Sequence, residues 1–166
     1  IMNHPIYKKD GFSLFREKKG DNSILGDTLI IDNHNIHELK SFINKNLIKG
    51  VRIIPSYYNV QNLDFLNELN FIEGVYIIGN ENFDLTPLYA LTNLRVLGIE
   101  KISTTLDFGR FPNLEVYGSQ YSKKILNMGK CANLFWLWLD NYKEDDLYAI
   151  ESLTKLKFLT LYKTSI

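Results

Sequence analysis

The sequence predicts an α/β fold, a right-handed solenoid whose curved parallel sheet of about seven short strands carries helices or short turns on its convex side. Three observations predict it. A pattern of the form apolar, two residues, apolar, one residue, apolar recurs with starts at 25, 48, 72, 94, 114, 134 and 156. The stretches between copies share apolar columns: three and six residues before the motif leucine stand Leu91 and Leu88, Phe111 and Phe108, Cys131 and Met128, Leu153 and Ile150. Such columns need a shared cause, and stacked units that cannot bury their apolar side alone supply one. Finally, 166 residues with 45% hydrophobic content and four prolines suit one globular domain rather than a disordered chain.

In order along the chain, residues 1–24 are polar around Phe12, Leu14 and Phe15, and are expected to cap the first strand, with residues 25–166 forming the repeats. The first copy, Leu25, Thr28 and Ile30, is the weakest. Asn35 to Ile43 follows, with apolar positions 36, 39, 42 and 43 at helical spacing and Asn35 as a cap. The second copy is Ile48 to Ile53. Asn62 to Leu69, with Leu63, Leu66 and Leu69 on one side, reads as a similar helix. Ile72 to Ile77 and Leu94 to Ile99 are the third and fourth copies. Leu114 to Ser119 is a degenerate fifth. Leu134 to Leu139 and Leu156 to Leu161 complete the series. The two 20-residue units before 134 are too short for full helices and carry Gly109, Pro112 and Gly129, so tight turns or short 3₁₀ pieces are expected there. Asp146 reads as the cap of a helix through Leu147, Ile150 and Leu153. Leu97, Leu114, Leu137, Leu139, Leu159 and Leu161 are expected in the core. No amphipathic cap follows the last copy, which leaves truncation and edge-to-edge self-association through the C-terminal strand both open.

The L-x-x-L-x-L core at this spacing resembles the leucine-rich repeat family, and Ile72 to Leu94, with Asn80 at the asparagine position, resembles its bacterial internalin-like subclass. The resemblance implies a curved solenoid that binds a protein. It departs at the asparagine column, which reads Ser56, Asn80, Ile102, Ser122, Tyr142 and Thr164, so the side-chain ladder that satisfies turn backbone groups is expected in one copy only.

Charge excludes several functions. Nineteen basic residues balance nineteen acidic ones, and no segment carries the basic excess that duplex DNA or an anionic membrane would reward, so neither nucleic acid nor a membrane is an expected partner. No apolar run reaches the roughly 18 residues needed to span a bilayer. Met2 reads as the natural start and lacks the apolar stretch of a secretory signal, which makes the cytoplasm the expected compartment. Lysine outnumbers arginine 15 to 4 beside 18 isoleucines and 17 asparagines, a bias associated with AT-rich bacterial genomes.

Candidate chemistry is sparse. Asp32, His34 and His37 have metal-ligand spacing, but they fall at a strand-to-helix junction where turn residues are ordinary, and no third strong ligand is visible. Cys131 stands in a core column with no positioned base. Glu144-Asp145-Asp146 reads as a solvated turn with a cap rather than a cation site. No cofactor is expected and the chain is read as non-enzymatic; a metal- or cysteine-dependent enzyme is the remote alternative.

The outward strand positions say more. Gly50 and Arg52, Gly74 and Tyr76, Val96 and Gly98, Val116 and Gly118, Trp136 and Trp138, Phe158 and Thr160 point to the concave face, followed by Ile54, Ile78, Glu100, Gln120, Asp140 and Tyr162. Each large aromatic carries on the order of 150–250 Å², so Trp136, Trp138, Phe158 and Tyr162 together exceed the roughly 400 Å² above which an exposed patch marks binding. Gly98 and Gly118 leave a depression beside them. The expected partner site is Tyr76, Glu100, Gln120, Trp136, Trp138, Asp140, Phe158 and Tyr162, with the acidic residues favouring a basic protein surface. A terminal segment folded over the patch, or a sugar platform, are the competing readings. The expected role is a protein-recognition module, in its sharper form an immunity-type protein that occludes a toxin, and in its alternative form an adaptor or internalin-like ligand-binding fragment of a larger protein.

Overall fold

The computed structural model describes residues 5–17, 24–55, 57, 59, 62–79 and 82–164. Ser56 and Asn80, two members of the asparagine column, lie outside the described residues, as do 18–23 of the N-terminal segment.

Strands β1 (Ile6–Lys9) and β2 (Phe12–Phe15) form a hairpin. It turns at Asp10-Gly11, both with positive φ (49° and 87°), as a two-residue hairpin turn requires. β2 pairs antiparallel with β3 (Thr28–Ile30). Helix α1 (Ile36–Asn46) follows, closed by a capping box in which Asn35 accepts from the Glu38 N–H and Glu38 accepts from the Asn35 N–H, each at 3.0 Å. Its apolar positions Leu39, Phe42 and Ile43 are buried. The remaining strands are β4 (Gly50–Ile53), β5 (Gly74–Ile77), β6 (Val96–Ile99), the two-residue β7 (Leu106–Asp107), β8 (Val116–Gln120), the two-residue β9 (Ile125–Leu126), β10 (Trp136–Asp140) and β11 (Phe158–Tyr162). The main sheet runs β1-β2-β3-β4-β5-β6-β8-β10-β11 and is parallel throughout from β3 onward. Its parallel strands match the seven motif copies. β7 and β9 form a second parallel pair on the return side. Among the described residues, no helix is long and apolar enough to cross a membrane.

The first copy sits one residue later than the spacing predicts. Leu29 pairs with Val51 and Ile30 with Arg52, so Leu29 and Ile31 enter the core, while Thr28 turns outward to accept a hydrogen bond from Arg52. A one-residue shift exchanges the faces of a strand. Here it places two large hydrophobes inside instead of Thr28.

The return segments also differ from expectation. Asp64–Leu69 is a 3₁₀ helix rather than an α-helix. Leu63, Leu66 and Leu69 recur every three residues, the 3₁₀ period, and all three are fully buried. Asp146 accepts from the Tyr148 N–H at 3.0 Å, but Leu147 holds the N-cap position of the short 3₁₀ turn Tyr148–Ile150; no helix runs through Leu153. The short units carry 3₁₀ turns at Phe108–Arg110 and Met128–Lys130, as expected.

Leu97, Leu114, Leu137 and Leu139 are fully buried. Leu159 and Leu161 are not: Leu159 is 40% exposed and Leu161 half-buried, because β11 is the edge strand of the sheet among the described residues. In the asparagine column, Ile102 and Tyr142 are buried instead. Tyr142 packs against Tyr121 and donates to the Asp146 carbonyl at 2.7 Å. Turn carbonyls in this region are satisfied from other positions, by Ser103 Oγ donating to Phe83 O and Lys124 Nζ to Ser103 O, both at 2.6 Å. At the opposite edge Asn113 and Asn133 each donate to a carbonyl of the preceding unit at 3.0 Å. The sequence reading placed no ladder there.

Candidate functional site

Parallel, in-register strands turn every sequence position into a row across the sheet. On the outer face the middle row is Arg52, Tyr76, Gly98, Gly118, Trp138 and Thr160. Above it run Glu100, Gln120, Asp140 and Tyr162, and below it Gly74, Val96, Val116, Trp136 and Phe158. The two central glycines matter sterically. A Cβ on Gly98 would lie 2.7 Å from Tyr76 Cδ1, and one on Gly118 would lie 3.2 Å from Trp138 Cε3. The two rings therefore lean over the glycines from opposite sides. Between them opens a groove of about 450 Å³ floored by Val96, Gly98, Val116 and Gly118.

Six of the eight residues singled out from the sequence line this groove: Tyr76, Glu100, Gln120, Trp136, Trp138 and Asp140. Trp138 is 47% exposed and Trp136 is half-buried. Glu100 is held at the rim by the Gly79 N–H, which donates to its Oε2 at 2.7 Å. Asp140 Oδ1 is sealed from solvent without a hydrogen-bond partner among the described residues. Phe158 and Tyr162 lie on the neighbouring edge strand rather than in the groove. Phe158 meets Trp136 edge to face at 6.4 Å, and Tyr162 is 56% exposed. Ile78 is a lining residue that the sequence reading placed on the face but not in the site.

The N-terminal segment reaches the other end of this face. Leu25 fills the space over Gly50 and Gly74. Arg52 is 7% exposed, with its guanidinium carbon 3.9 Å from both the Phe15 and Tyr76 ring centroids. It donates to Thr28 Oγ1 at 2.8 Å and pairs with Glu17. Burial, with the nearby Glu17 charge, pushes the Tyr76 phenol above its ordinary value. Strand alternation places Arg52 on the outer face, but nothing in the repeat marks it as buried, because most of its partners come from the N-terminal hairpin and the segments beside it.

The other candidates sit in structural surroundings. His34 Nδ1 lies 2.5 Å from Asp32 Oδ1, and its ring stacks on Phe12, which stacks in turn on Phe42. Among the described residues no three His, Cys, Asp or Glu side chains gather to hold a metal. Cys131 is fully buried under Phe108 and Phe111, and burial raises its thiol to about 12. Glu144 accepts from the Tyr121 hydroxyl at 2.6 Å, within the turn that Asp146 closes.

No family model matches the chain, and no curated protein does. Solved structures do. Internalin C2 from Listeria monocytogenes is 20% identical over 82% of this chain and 71% of its own, with a TM-score of 0.52. The internalin inlF of the same organism is 18% identical over 74% of this chain and 44% of its own, with a TM-score of 0.44. This chain thus spans less than half of the second structure. The architecture is an internalin-like leucine-rich-repeat solenoid.

Proposed function

We propose that this chain is a protein-recognition module that binds a protein partner on the outer face of its sheet, through Trp136, Trp138 and Tyr76 with the polar rim of Glu100, Gln120 and Asp140. One observation carries the reading: in-register pairing gathers large exposed aromatics beside a groove that two glycines keep open. Tryptophan and tyrosine in such settings dominate interface energetics. Phe158 and Tyr162 extend the contact over the neighbouring edge. The narrower form is an immunity-type protein that occludes a toxin in the cytoplasm. The acidic rim of Glu100 and Asp140 favours a partner with a basic surface. Affinity capture from lysate of the source cells, with wild-type and Trp138→Ala baits in parallel, tests both forms. A protein held by the wild type and lost by the variant supports the module, and its identity as a toxin supports the narrower form. Equal recovery on both baits overturns the outer face as the site. An internalin-like ligand binder would instead retain a cell-surface protein. Edge-to-edge pairing of two copies through β11 is a separate outcome, read from sedimentation of the purified chain at rising concentration.

A further inference from the structure

We infer that the groove between Tyr76 and Trp138 receives an arginine side chain from the partner protein. The inference rests on the proposed outer-face reading and names the chemistry of what the face takes up.

Charge is the first ground. The described lining residues include the carboxylates Glu100 and Asp140 and no lysine, arginine or histidine. An apolar occupant would cover the Glu100 and Asp140 carboxylates without offering them a counter-charge, which costs part of their solvation. An acidic occupant would be repelled. A lysine would answer the charge, but its ammonium is compact and strongly hydrated and gains little from aromatic walls. A guanidinium answers both demands: it stacks flat on an indole or phenol face and directs several N–H donors in its plane toward carboxylate oxygens.

The second ground is independent of the rim. The same row of the same face already holds an arginine. Arg52 lies between Phe15 and Tyr76, 3.9 Å from each ring centroid, with Glu17 as its carboxylate. There the chain's own hairpin supplies the second ring and the carboxylate. Across Gly98 and Gly118 the components recur, with Tyr76 at one end, Trp138 at the other, and Glu100 and Asp140 along the rim, but no arginine of this chain lines the space. Trp138 takes the place that Phe15 holds over Arg52, and Asp140 that of Glu17.

A random twelve-residue peptide library, selected on the immobilised full chain and counter-selected on Trp138→Ala, tests the inference. The strongest peptide is then titrated with its arginine replaced by citrulline, which keeps the shape and removes the charge, and against Asp140→Asn, which replaces one carboxylate oxygen by an amide nitrogen. The expected result is arginine enrichment, with each replacement weakening binding about tenfold or more while the circular dichroism of the variants stays that of the wild type. Trp138-dependent peptides without arginine enrichment, or a citrulline peptide that binds equally well, overturn the arginine assignment and leave the outer-face reading standing. Peptides that bind Trp138→Ala as well as the wild type, or no selected peptide at all, overturn both.

Discussion

Tyr117 and Ser119 show how a broken motif still fills its place. Both occupy core positions of the degenerate copy, where the other units carry valine, leucine or isoleucine. Both are buried. The Tyr117 hydroxyl donates to Ser119 Oγ at 2.6 Å, and Ser119 Oγ donates to the Gln120 carbonyl at 2.7 Å. The large ring takes the space that the small serine leaves, and the two hydroxyls satisfy one another. Burial raises the Tyr117 phenol, so this hydrogen bond stays intact across the ordinary pH range. At the same scale, equal residue types differ in cost according to what stacks on them. Leu137→Ala is expected to destabilise by about 2–5 kcal/mol, the range for a fully buried leucine. Leu159→Ala, the register partner of Leu137 on the edge strand and 40% exposed, is expected to cost less than half of that. Urea midpoints of both variants check the pair. Equal costs would mean that Leu159 is covered in solution.

The elements show which parts of this structure were legible in advance. The main-sheet strands from β4 onward follow the apolar pattern directly, because a strand buried on one face must alternate and the columns repeat from unit to unit. Asn35 and the apolar spacing 36, 39, 42 and 43 mark α1 in the sequence, while the reciprocal bond from Glu38 is seen only in the structure. The misplaced first copy had no such support: Leu25, Thr28 and Ile30 fit the pattern as well as the true inward pair, and the antiparallel partner that pins Leu29 to Leu14 is a tertiary fact. The three-residue spacing of Leu63, Leu66 and Leu69 was visible, but it was read as helical in general rather than as 3₁₀. For the candidate site, alternation placed the outward residues on one face. The depth between Tyr76 and Trp138 depends on how two rings lean, and the Arg52 sandwich depends on the hairpin; neither is written in a repeat pattern. An element-scale prediction follows from α1, which ends on Leu47 in the left-handed region (φ 54°). That side chain is 84% exposed, so it gains little burial for the strain. Leu47→Gly is expected to raise stability by about 0.5–1 kcal/mol, measured by thermal or urea unfolding. A loss of stability would mean that Leu47 makes an interaction that its exposure hides.

At the scale of the whole molecule, the units are tied side by side by charges as well as by backbone. Arg95 on the entry to β6 donates to Glu73 before β5 at 3.0 Å and forms a bidentate pair with Glu115 before β8 at 2.8 and 3.0 Å, while Lys49 reaches Glu73 at 3.3 Å. Burial pushes the Glu73 carboxyl upward, but the hydrogen bonds from Arg95 and Lys49 outweigh it and hold the group below its ordinary 4.5. The Asn127 amide and the Gly109 N–H likewise lower Asp107. A carboxyl whose folded pKa is depressed adds stability that is complete above the unfolded pKa and is lost as pH falls through the folded one. The protein is therefore expected to lose stability below about pH 4.5, and Glu73→Gln to flatten that acid slope while leaving the neutral-to-alkaline slope as it was. Urea midpoints across that range decide it; an unchanged acid slope in the variant would place the coupling elsewhere.

The recognition proposed for the outer face of the sheet turns on Trp138, which stands at one end of the groove and between core residues Leu137 and Leu139. Calorimetric titration of the captured partner into wild-type and Trp138→Ala protein, with urea unfolding of both run alongside, tests this most directly. Binding is expected to weaken at least about tenfold, roughly 1.4 kcal/mol, with the unfolding midpoint nearly unchanged. A variant that binds as the wild type does, or that loses stability as a truncated core residue would, contradicts the account.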